Sequence, residues 1–124
     1  MSKILFSINP EHVENILQGT KKVEYRKTRC RRDDVDTVLI YSTSPVKRVV
    51  AQAKLLGILE DNPDRIWKKT KLVSGITYEF FEKYFAHRDT AVAYELGGIE
   101  EFPIPKMLRE FGIGVAPQSF VYVD

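Results

Sequence analysis

The chain is very poor in cysteine. Cys30 is the only one among 124 residues, so an internal disulfide is impossible and a zinc site built from several cysteines is excluded. A reducing compartment fits both facts, and we expect a cytoplasmic protein. Flanking arginines favour the Cys30 thiolate, but neither histidine lies near it in sequence to act as a base. We therefore interpret Cys30 as an incidental thiol in a basic loop.

Long apolar runs are also missing from the sequence. No stretch approaches the roughly 18–20 residues that a helix needs to cross a bilayer, and the first residues lead into a strand without a secretory apolar segment. We therefore expect no membrane partner. Metal-ligand patterns are scarce as well, because Glu60, Asp61 and Asp64 are typical of a turn and a helix cap. No metal and no cofactor are expected.

The size of the chain indicates one domain, residues 1–124, because chains divide into several domains only well above ~200 residues. A hydrophobic share of 44% is enough for a packed interior. The first element is a strand over Ile4–Ile8, followed by a helix that Asn9 and Pro10 begin and Gly19 ends. We expect His12, in the first turn of that helix, to be solvated.

The remaining pattern predicts short strands interrupted by helices. Alternation and β-branched residues predict strands at 22–26, 37–41, 47–59, 90–96 and 119–123, with a bend at Gly57 and a stop at Gly97-Gly98. Helices are predicted after Asn62, after Thr77 and over 105–111. The apolar stripe of the second of these is expected in the core, and it consists of Phe80, Phe81, Tyr84 and Phe85. The fold class is therefore α+β, a small mixed β-barrel of about six strands with flanking helices.

Positive charge is concentrated in one segment of the chain. GTKKVEYRKTRCRR, residues 19–32, holds seven Lys/Arg and a single acid, Glu24, whereas the net charge of the whole chain is only +2. Strand alternation places Val23 and Tyr25 on one face and Glu24 and Arg26 on the other. A local field of this sign attracts phosphate-bearing partners, and a lone carboxylate within it points to a binding or catalytic role.

The spacing Gly19-x-Lys21-x-x-Glu24-x-Arg26 resembles the GxKxxExR signature of the ASCH domain, a branch of the PUA-like β-barrel superfamily. Further similarities follow in order along the chain. They are the N-terminal strand–Pro–helix, a strand ending in YSTSPV (41–46), an aromatic helix before a Gly-bounded strand, and the closing PQSFVY (117–122). The resemblance implies a PUA-like fold. It also implies an RNA or nucleotide-like ligand, because ASCH-like domains are largely inferred RNA binders with a few hydrolytic members.

The candidate ligand-binding residues are Lys21, Glu24, Arg26, Tyr41, Ser42 and Ser44. Arginine offers a rigid fork for phosphate or a base edge, lysine a mobile charge, and glutamate an acceptor for an exocyclic amine. The turn after Tyr41 adds hydroxyl and backbone N–H groups of the kind that hold phosphates. The alternatives are an ordinary turn and a surface ion pair of Glu24 with Lys21 or Arg26, which would stabilise the fold by only ~0–1 kcal/mol.

A basic rim is predicted around this cleft, because two cationic segments flank the same predicted strand. Its residues are Arg29, Arg31, Arg32, Lys47 and Arg48. A solvated charged surface is the alternative. Trp67 lies beside lysines and is expected in the core, with base stacking as a second possibility.

Two classes of function remain open at this point. The first is a module that binds RNA or a nucleotide and catalyses nothing. The second is a small hydrolase, either similar to the acetylcytidine amidohydrolases of the ASCH-like group or a weak ribonuclease. In the amidohydrolase branch a catalytic threonine lies three positions after the lysine, where this chain has Glu24. An enzyme of this type would therefore use Lys21 to polarise a carbonyl or phosphoryl group and Glu24 as a general base.

Overall fold

A computed structural model describes residues 2–124, which form one mixed six-stranded sheet and three α-helices. Met1, included in the predicted domain, lies outside the described residues. The elements in chain order are β1 (Ser2–Ile8), α1 (Pro10–Gln18), β2 (Val23–Arg26), β3 (Val35–Ser42), β4 (Arg48–Asp61), α2 (Pro63–Thr70), α3 (Tyr78–Tyr84), β5 (Ala91–Lys106) and β6 (Phe120–Val123). Short 3-10 helices span Lys71–Val73 and Leu108–Phe111. No helix within residues 2–124 is long and apolar enough to cross a membrane.

The sheet order is β2-β5-β4-β3-β1-β6, and β1 pairs in parallel with β3 while the other neighbours are antiparallel. The sheet curls strongly. The rings of Phe6 on β1 and Tyr94 on β5 are only 4.8 Å apart, although β3 and β4 lie between those two strands in the sheet. Among the described residues, β2 and β1 are not paired in the sheet, and we call the gap between them the seam. Across it, Arg26 at the end of β2 donates a hydrogen bond to the Ser7 carbonyl of β1 at 2.7 Å. The predicted α+β class and strand number are confirmed.

Alternating side chains divide the core into an interior and two outer layers. The barrel interior holds Phe6, Ile40 and Tyr94. On the outer face of β2 and β5, the helices α2 and α3 pack over a second cluster that includes Tyr25 and Phe81. A third cluster lies on the outer face of β1 and β3. Residues of β2 that point away from α2 and α3 therefore face the barrel interior.

The ends of α1 follow the sequence prediction. The Asn9 side chain accepts a hydrogen bond from the Glu11 N–H, Pro10 is the first helical residue, and Gly19 ends the helix with a φ of 88°. Asn62 and Thr77 cap α2 and α3 in the same way. The bend predicted at Gly57 coincides with a register shift between β4 and β5. Local sequence therefore decides where these helices begin and where β4 bends.

Two predictions about the C-terminal third are wrong. β5 does not stop at Gly97-Gly98 but continues to Lys106, and in place of a helix over 105–111 only the 3-10 turn Leu108–Phe111 forms. The reason is the length of β4, whose 14 residues offer backbone partners as far as the Val49↔Lys106 pair. Tertiary pairing thus overrides the local stop signal.

The aromatic stripe of α3 is only partly in the core. Phe81 and Phe85 are 2% and 3% exposed, as predicted, but Phe80 is 49% exposed, which contradicts the prediction for that residue. Helices rotate about 100° per residue, so adjacent aromatics cannot all face one cluster. Trp67 is half-buried against Phe81, with ring centroids 5.0 Å apart. Its predicted position in the core agrees with this packing.

Candidate ligand-binding cleft

The turn from α1 into β2 places Lys21 beneath the segment that links α2 and α3. The backbone N–H groups of Thr20 and Lys21 both donate to the Asn15 carbonyl at 3.1 Å. The Asn15 side chain in turn donates to the Gly75 carbonyl at 3.1 Å. Gly75 has a φ of 66°, and a Cβ there would lie 2.5 Å from the Lys21 Cβ. Residue 75 must therefore be glycine for the lysine stem to pass.

Lys21, Glu24 and Arg26 come together at the seam between β2 and β1, and we call them the charged trio. The two Glu24 oxygens lie 3.9 Å from Lys21 Nζ and 3.1 Å from an Arg26 Nη atom. The side chains of Lys21, Glu24 and Arg26 are 2%, 7% and 11% exposed. The alternative of a surface ion pair is therefore contradicted, because the ion pairs form but their charges are buried.

Further contacts fix both cations of the trio. Lys21 Nζ donates to the Ser74 carbonyl at 2.8 Å. The Arg26 guanidinium, besides its bond to the Ser7 carbonyl, lies 4.9 Å from the centre of the Phe6 ring. Burial lowers the pKa of the Lys21 amine, and the charge of Glu24 partly opposes this shift. The trio is a preorganised cluster rather than a set of mobile surface charges.

Two buried side-chain nitrogens within residues 2–124 have no hydrogen-bond partner, and both belong to this region. They are Arg26 Nε and His12 Nδ1. Burial, followed by the charge of Lys21, lowers the pKa of the His12 imidazole, so it is neutral at pH 7. His12 is half-buried and therefore not fully solvated as expected. Helical spacing could have revealed this, because His12 lies four residues before the buried Ile16 and shares its face.

An open cavity of about 430 Å³ adjoins His12. It lies between α1 and residues 71–80, and its lining includes His12, Leu72, Ser74, Gly75, Thr77 and Phe80. The rings of His12 and Phe80 meet edge to face with centroids 5.2 Å apart. The exposed Phe80 is thus a wall of this cavity, a role that sequence reasoning missed.

The other predicted ligand-binding residues are placed differently from the trio. Tyr41 packs with Leu5 and Leu39 in the third core cluster, on the outer face of β3. Ser42 is 2% exposed at the end of the same strand, and Ser44 lies exposed in the following turn. The structure therefore does not bring the Tyr41 ring to the interior face that holds Glu24 and Arg26.

The predicted basic rim is divided between the two ends of β3. Arg29, Arg31 and Arg32 precede this strand, whereas Lys47 and Arg48 follow it, and a strand of 8 residues separates its ends by about 23 Å. Two of the five cations are also ion-paired. Arg29 lies 3.5 Å from Glu60, and Arg32 lies 2.9 Å from Asp124. Two separate basic patches replace the continuous rim.

Tyrosine hydroxyls anchor the arginine-rich loop to the barrel. The Tyr94 hydroxyl accepts from the Cys30 N–H at 2.6 Å and donates to the Thr28 carbonyl at 2.9 Å. The Tyr122 hydroxyl accepts from the Arg31 N–H at 2.9 Å. Burial raises the pKa of Tyr94 to about 12. Cys30 itself is 4% exposed within the interior cluster, so its thiol packs as a small apolar group.

Comparison with known proteins identifies the family. The profile of the ASCH domain matches residues 6–100, and the chain belongs to the ASCH domain family of the PUA-like superfamily. The crystal structure of ASCH from Zymomonas mobilis superposes with a TM-score of 0.87 at 24% identity, covering 98% of this chain and 87% of that one. The resemblance inferred from Lys21, Glu24 and Arg26 is confirmed at the level of family and fold.

Several curated proteins contain a similar segment. Over 122 residues, 97% of this chain, it is 30% identical to ATP synthase subunit alpha and 27% identical to large ribosomal subunit protein uL22, both of Ureaplasma parvum. The chain spans only 15% and 39% of those two proteins. It is also 27% identical over 92 residues to an ASCH domain-containing ribonuclease of Zymomonas mobilis, covering 74% of this chain and 62% of that protein.

Proposed function

We propose that residues 1–124 act as a single ASCH unit that binds RNA, or one nucleotide of it, at the charged trio. The observation that carries this proposal is the unpartnered Nε of Arg26, a buried donor beside the buried Glu24. A buried donor without an acceptor costs about 1–3 kcal/mol. A phosphate or carbonyl oxygen of a ligand would remove that cost, since arginine pairs with such oxygens through its planar fork.

Fold stability alone does not explain the trio. Replacing a buried ion pair by apolar residues of similar volume is often neutral or stabilising, because desolvation offsets the attraction between the charges. Lys21 and Arg26 together with Glu24 leave one net positive charge, and His12 adds none when neutral. An anionic or strongly polar ligand matches this balance, and the two basic patches would steer it towards the protein.

RNA is favoured as the ligand by one relative. The Zymomonas mobilis protein that matches 92 residues of this chain is named a ribonuclease, so that relative acts on RNA. The exposed cations at the two ends of β3, among them Arg31 and Lys47, are suited to phosphate contacts along a strand of RNA. Tyr41 is no longer required as a ligand-binding residue in this proposal, whereas Ser42 and Ser44 remain candidates at the end of β3.

Hydrolysis is the second candidate, and the ribonuclease name of that relative is the observation in its favour. The geometry of Glu24 favours binding instead. Both of its carboxylate oxygens face cations, at 3.1 and 3.9 Å, so a proton taken from water would have to displace those partners. The position of Glu24 also lacks the hydroxyl nucleophile that the amidohydrolase branch carries there.

A binding experiment with three variants tests the proposal. Arg26→Gln should lower the affinity for a fluorescent single-stranded RNA by about tenfold or more, because a charged hydrogen-bonding group is worth roughly 1.5–3 kcal/mol. Arg26→Lys should lose less, since it keeps the charge. Lys83→Gln removes an exposed cation from the last turn of α3 and is the matched control. Wild-type affinity in Arg26→Gln, together with a lowered melting temperature, would make Arg26 purely structural.

Turnover assays separate the binding module from the enzyme. Wild type at high concentration is incubated with the same RNA and, separately, with acetylcytidine, and products are followed by chromatography. The binding proposal predicts no product in either case. Product formation by wild type that falls by about 100-fold in Glu24→Gln, while RNA binding survives, would establish a hydrolase that uses Glu24 as its general base.

A further inference from the structure

The cavity between α1 and residues 71–80 has the size of a small-molecule site. Its volume of about 430 Å³ lies within the range of roughly 300–1,000 Å³ that such sites occupy. It is separate from the two basic patches, and it approaches the trio through His12, on whose imidazole the charges of Lys21 and Glu24 act. The lining of the cavity does not include Lys21, Glu24 or Arg26, so a ligand that reaches both the trio and the cavity must pass His12.

Phe80 gives the cavity an aromatic wall that folding does not require. Its neighbour Phe81 is 2% exposed, whereas Phe80 is 49% exposed. Leu72, in the segment that links α2 and α3, is 92% exposed and lines the same cavity. Exposed aromatic rings beside a positively charged site are the platforms on which proteins stack or pack unpaired bases.

His12 gives the cavity a directional hydrogen-bonding group. Its Nδ1 atom is buried and has no partner within the described residues. A neutral imidazole carries one proton, and protonation at Nε2 leaves Nδ1 as an acceptor. An acceptor in a cleft is satisfied by an N–H donor, and the exocyclic amines of adenine and cytosine are donors of this kind.

We infer that this cavity is a nucleobase subsite in which the base packs against Phe80 and donates an amino hydrogen to His12 Nδ1. The inference rests on the proposed function, because the trio would hold the adjoining phosphate or sugar. The subsite fits amino-bearing bases better than uracil, whose one donor on this edge, the ring N3–H, is flanked by two carbonyl acceptors. Lys71, exposed at the cavity edge, supplies additional charge for a phosphate.

Calorimetric titration with AMP, CMP and UMP tests the subsite. Wild type should bind AMP and CMP more tightly than UMP. Phe80→Ala should weaken all three by about tenfold or more, in line with the contribution of base stacking. His12→Phe keeps an aromatic ring against Phe80 but removes the acceptor, so it should abolish the preference for AMP and CMP over UMP.

Tyr78→Ala is the matched control for Phe80→Ala. Tyr78 belongs to the same helix and is 43% exposed, but it lines a different depression and not this cavity. Its loss should leave all three affinities unchanged. The melting temperature of each variant should stay near that of wild type, because both aromatic rings are exposed.

The imidazole gives a second readout that a structural role would not change. Addition of CMP should shift the NMR resonances of the His12 ring and lower its pKa further, since the hydrogen bond needs an unprotonated Nδ1. The charged groups facing this ring are Glu11 on α1, Lys21, Glu24 and Arg26 at β2, and Lys71 across the cavity. Acidification should therefore weaken CMP binding more in wild type than in His12→Phe, where only the protonation of the phosphate contributes.

The outcomes distinguish the subsite from the proposed function. If Phe80→Ala and His12→Phe bind the three nucleotides as wild type does while Arg26→Gln loses binding, the subsite is wrong and the trio stands. If wild type binds neither the nucleotides nor single-stranded RNA, both proposals are overturned. Loss of base preference in His12→Phe with retained RNA affinity supports both.

Discussion

The basic segment from Gly19 to Arg32 contains two regions that differ in the burial of their charged side chains. In the strand half, the side chains of Lys21 and Arg26 are 2% and 11% exposed and share the buried Glu24. In the loop half, the side chains of Arg29 and Arg32 are 49% and 36% exposed and pair with surface acids. Identical residue types thus form a rigid polar cluster in one half and a solvated patch in the other. Burial, and not charge density, distinguishes the candidate site.

The largest expected effect is on the strand half. Lys21→Met should lower the free energy of unfolding by about 3 kcal/mol or more, because it removes one partner of a buried carboxylate and leaves the Ser74 carbonyl without its donor. Urea denaturation measures the loss. Lys22→Met, which changes an exposed neighbour, is the control. Equal losses in the two variants would erase the distinction between buried and exposed cations.

The anchor of the loop half should come next. Tyr94→Phe leaves the Cys30 N–H and the Thr28 carbonyl without their hydroxyl partner, at a cost of about 1–3 kcal/mol. Tyr78→Phe removes a hydroxyl that contacts Glu82 on the surface, so it should lower the free energy of unfolding much less in the same urea titration. If both changes have the same effect, the loop does not depend on the Tyr94 hydroxyl.

The raised pKa of Tyr94 predicts a loss of stability in alkaline solution. The unfolded chain ionises its tyrosines near pH 10, whereas Tyr94 in the folded protein has a pKa of about 12. Between these values the unfolded state holds fewer protons, so the free energy of unfolding falls as pH rises. Tyr94→Phe should reduce that slope. Part of the slope should remain in this variant, because the pKa of Tyr25 is also raised to about 12.

A smaller effect is expected from His12 in mild acid. Its pKa is lowered in the folded protein, so below about pH 6.5 the unfolded chain binds a proton that the folded imidazole still excludes. Stability should therefore fall as pH decreases from about 6.5, and less so in His12→Gln. His87→Gln, at the other histidine, which is exposed, is the control. If the three proteins lose stability equally as pH decreases, the pKa of His12 is not lowered in the folded protein.

The smallest effect concerns the pair of Arg29 and Glu60. Both side chains are more than two-fifths exposed, and the distance between them is 3.5 Å, so a double-mutant cycle with alanine should give a coupling of only ~0–1 kcal/mol. Added salt should reduce it further. A coupling as large as the Lys21→Met effect would show that the loop half also holds its charges rigidly.

Local signals were sufficient for much of the fold and for the trio. Asn9, Pro10 and Gly19 define α1, and period-two alternation from Val23 to Arg26 places Glu24 beside Arg26. The length of β5 could not be predicted, because it depends on the ladder that β4 offers far away in sequence. Phe80 was misplaced for a related reason, because its exposure is decided by how α3 packs, which periodicity alone does not reveal. His12 is different, since its spacing from the buried Ile16 was visible in the sequence.

The seam between β2 and β1 has a mechanical consequence. Within residues 2–124 no backbone ladder joins these strands, and the Arg26 side chain bridges them through the Ser7 carbonyl. Elsewhere around the barrel, opening would require several backbone hydrogen bonds to break together. At the seam the hydrogen bond from the Arg26 guanidinium joins the two strands. We expect a ligand bound at the trio, as proposed above, to hold this guanidinium in place and so to slow amide exchange in β2.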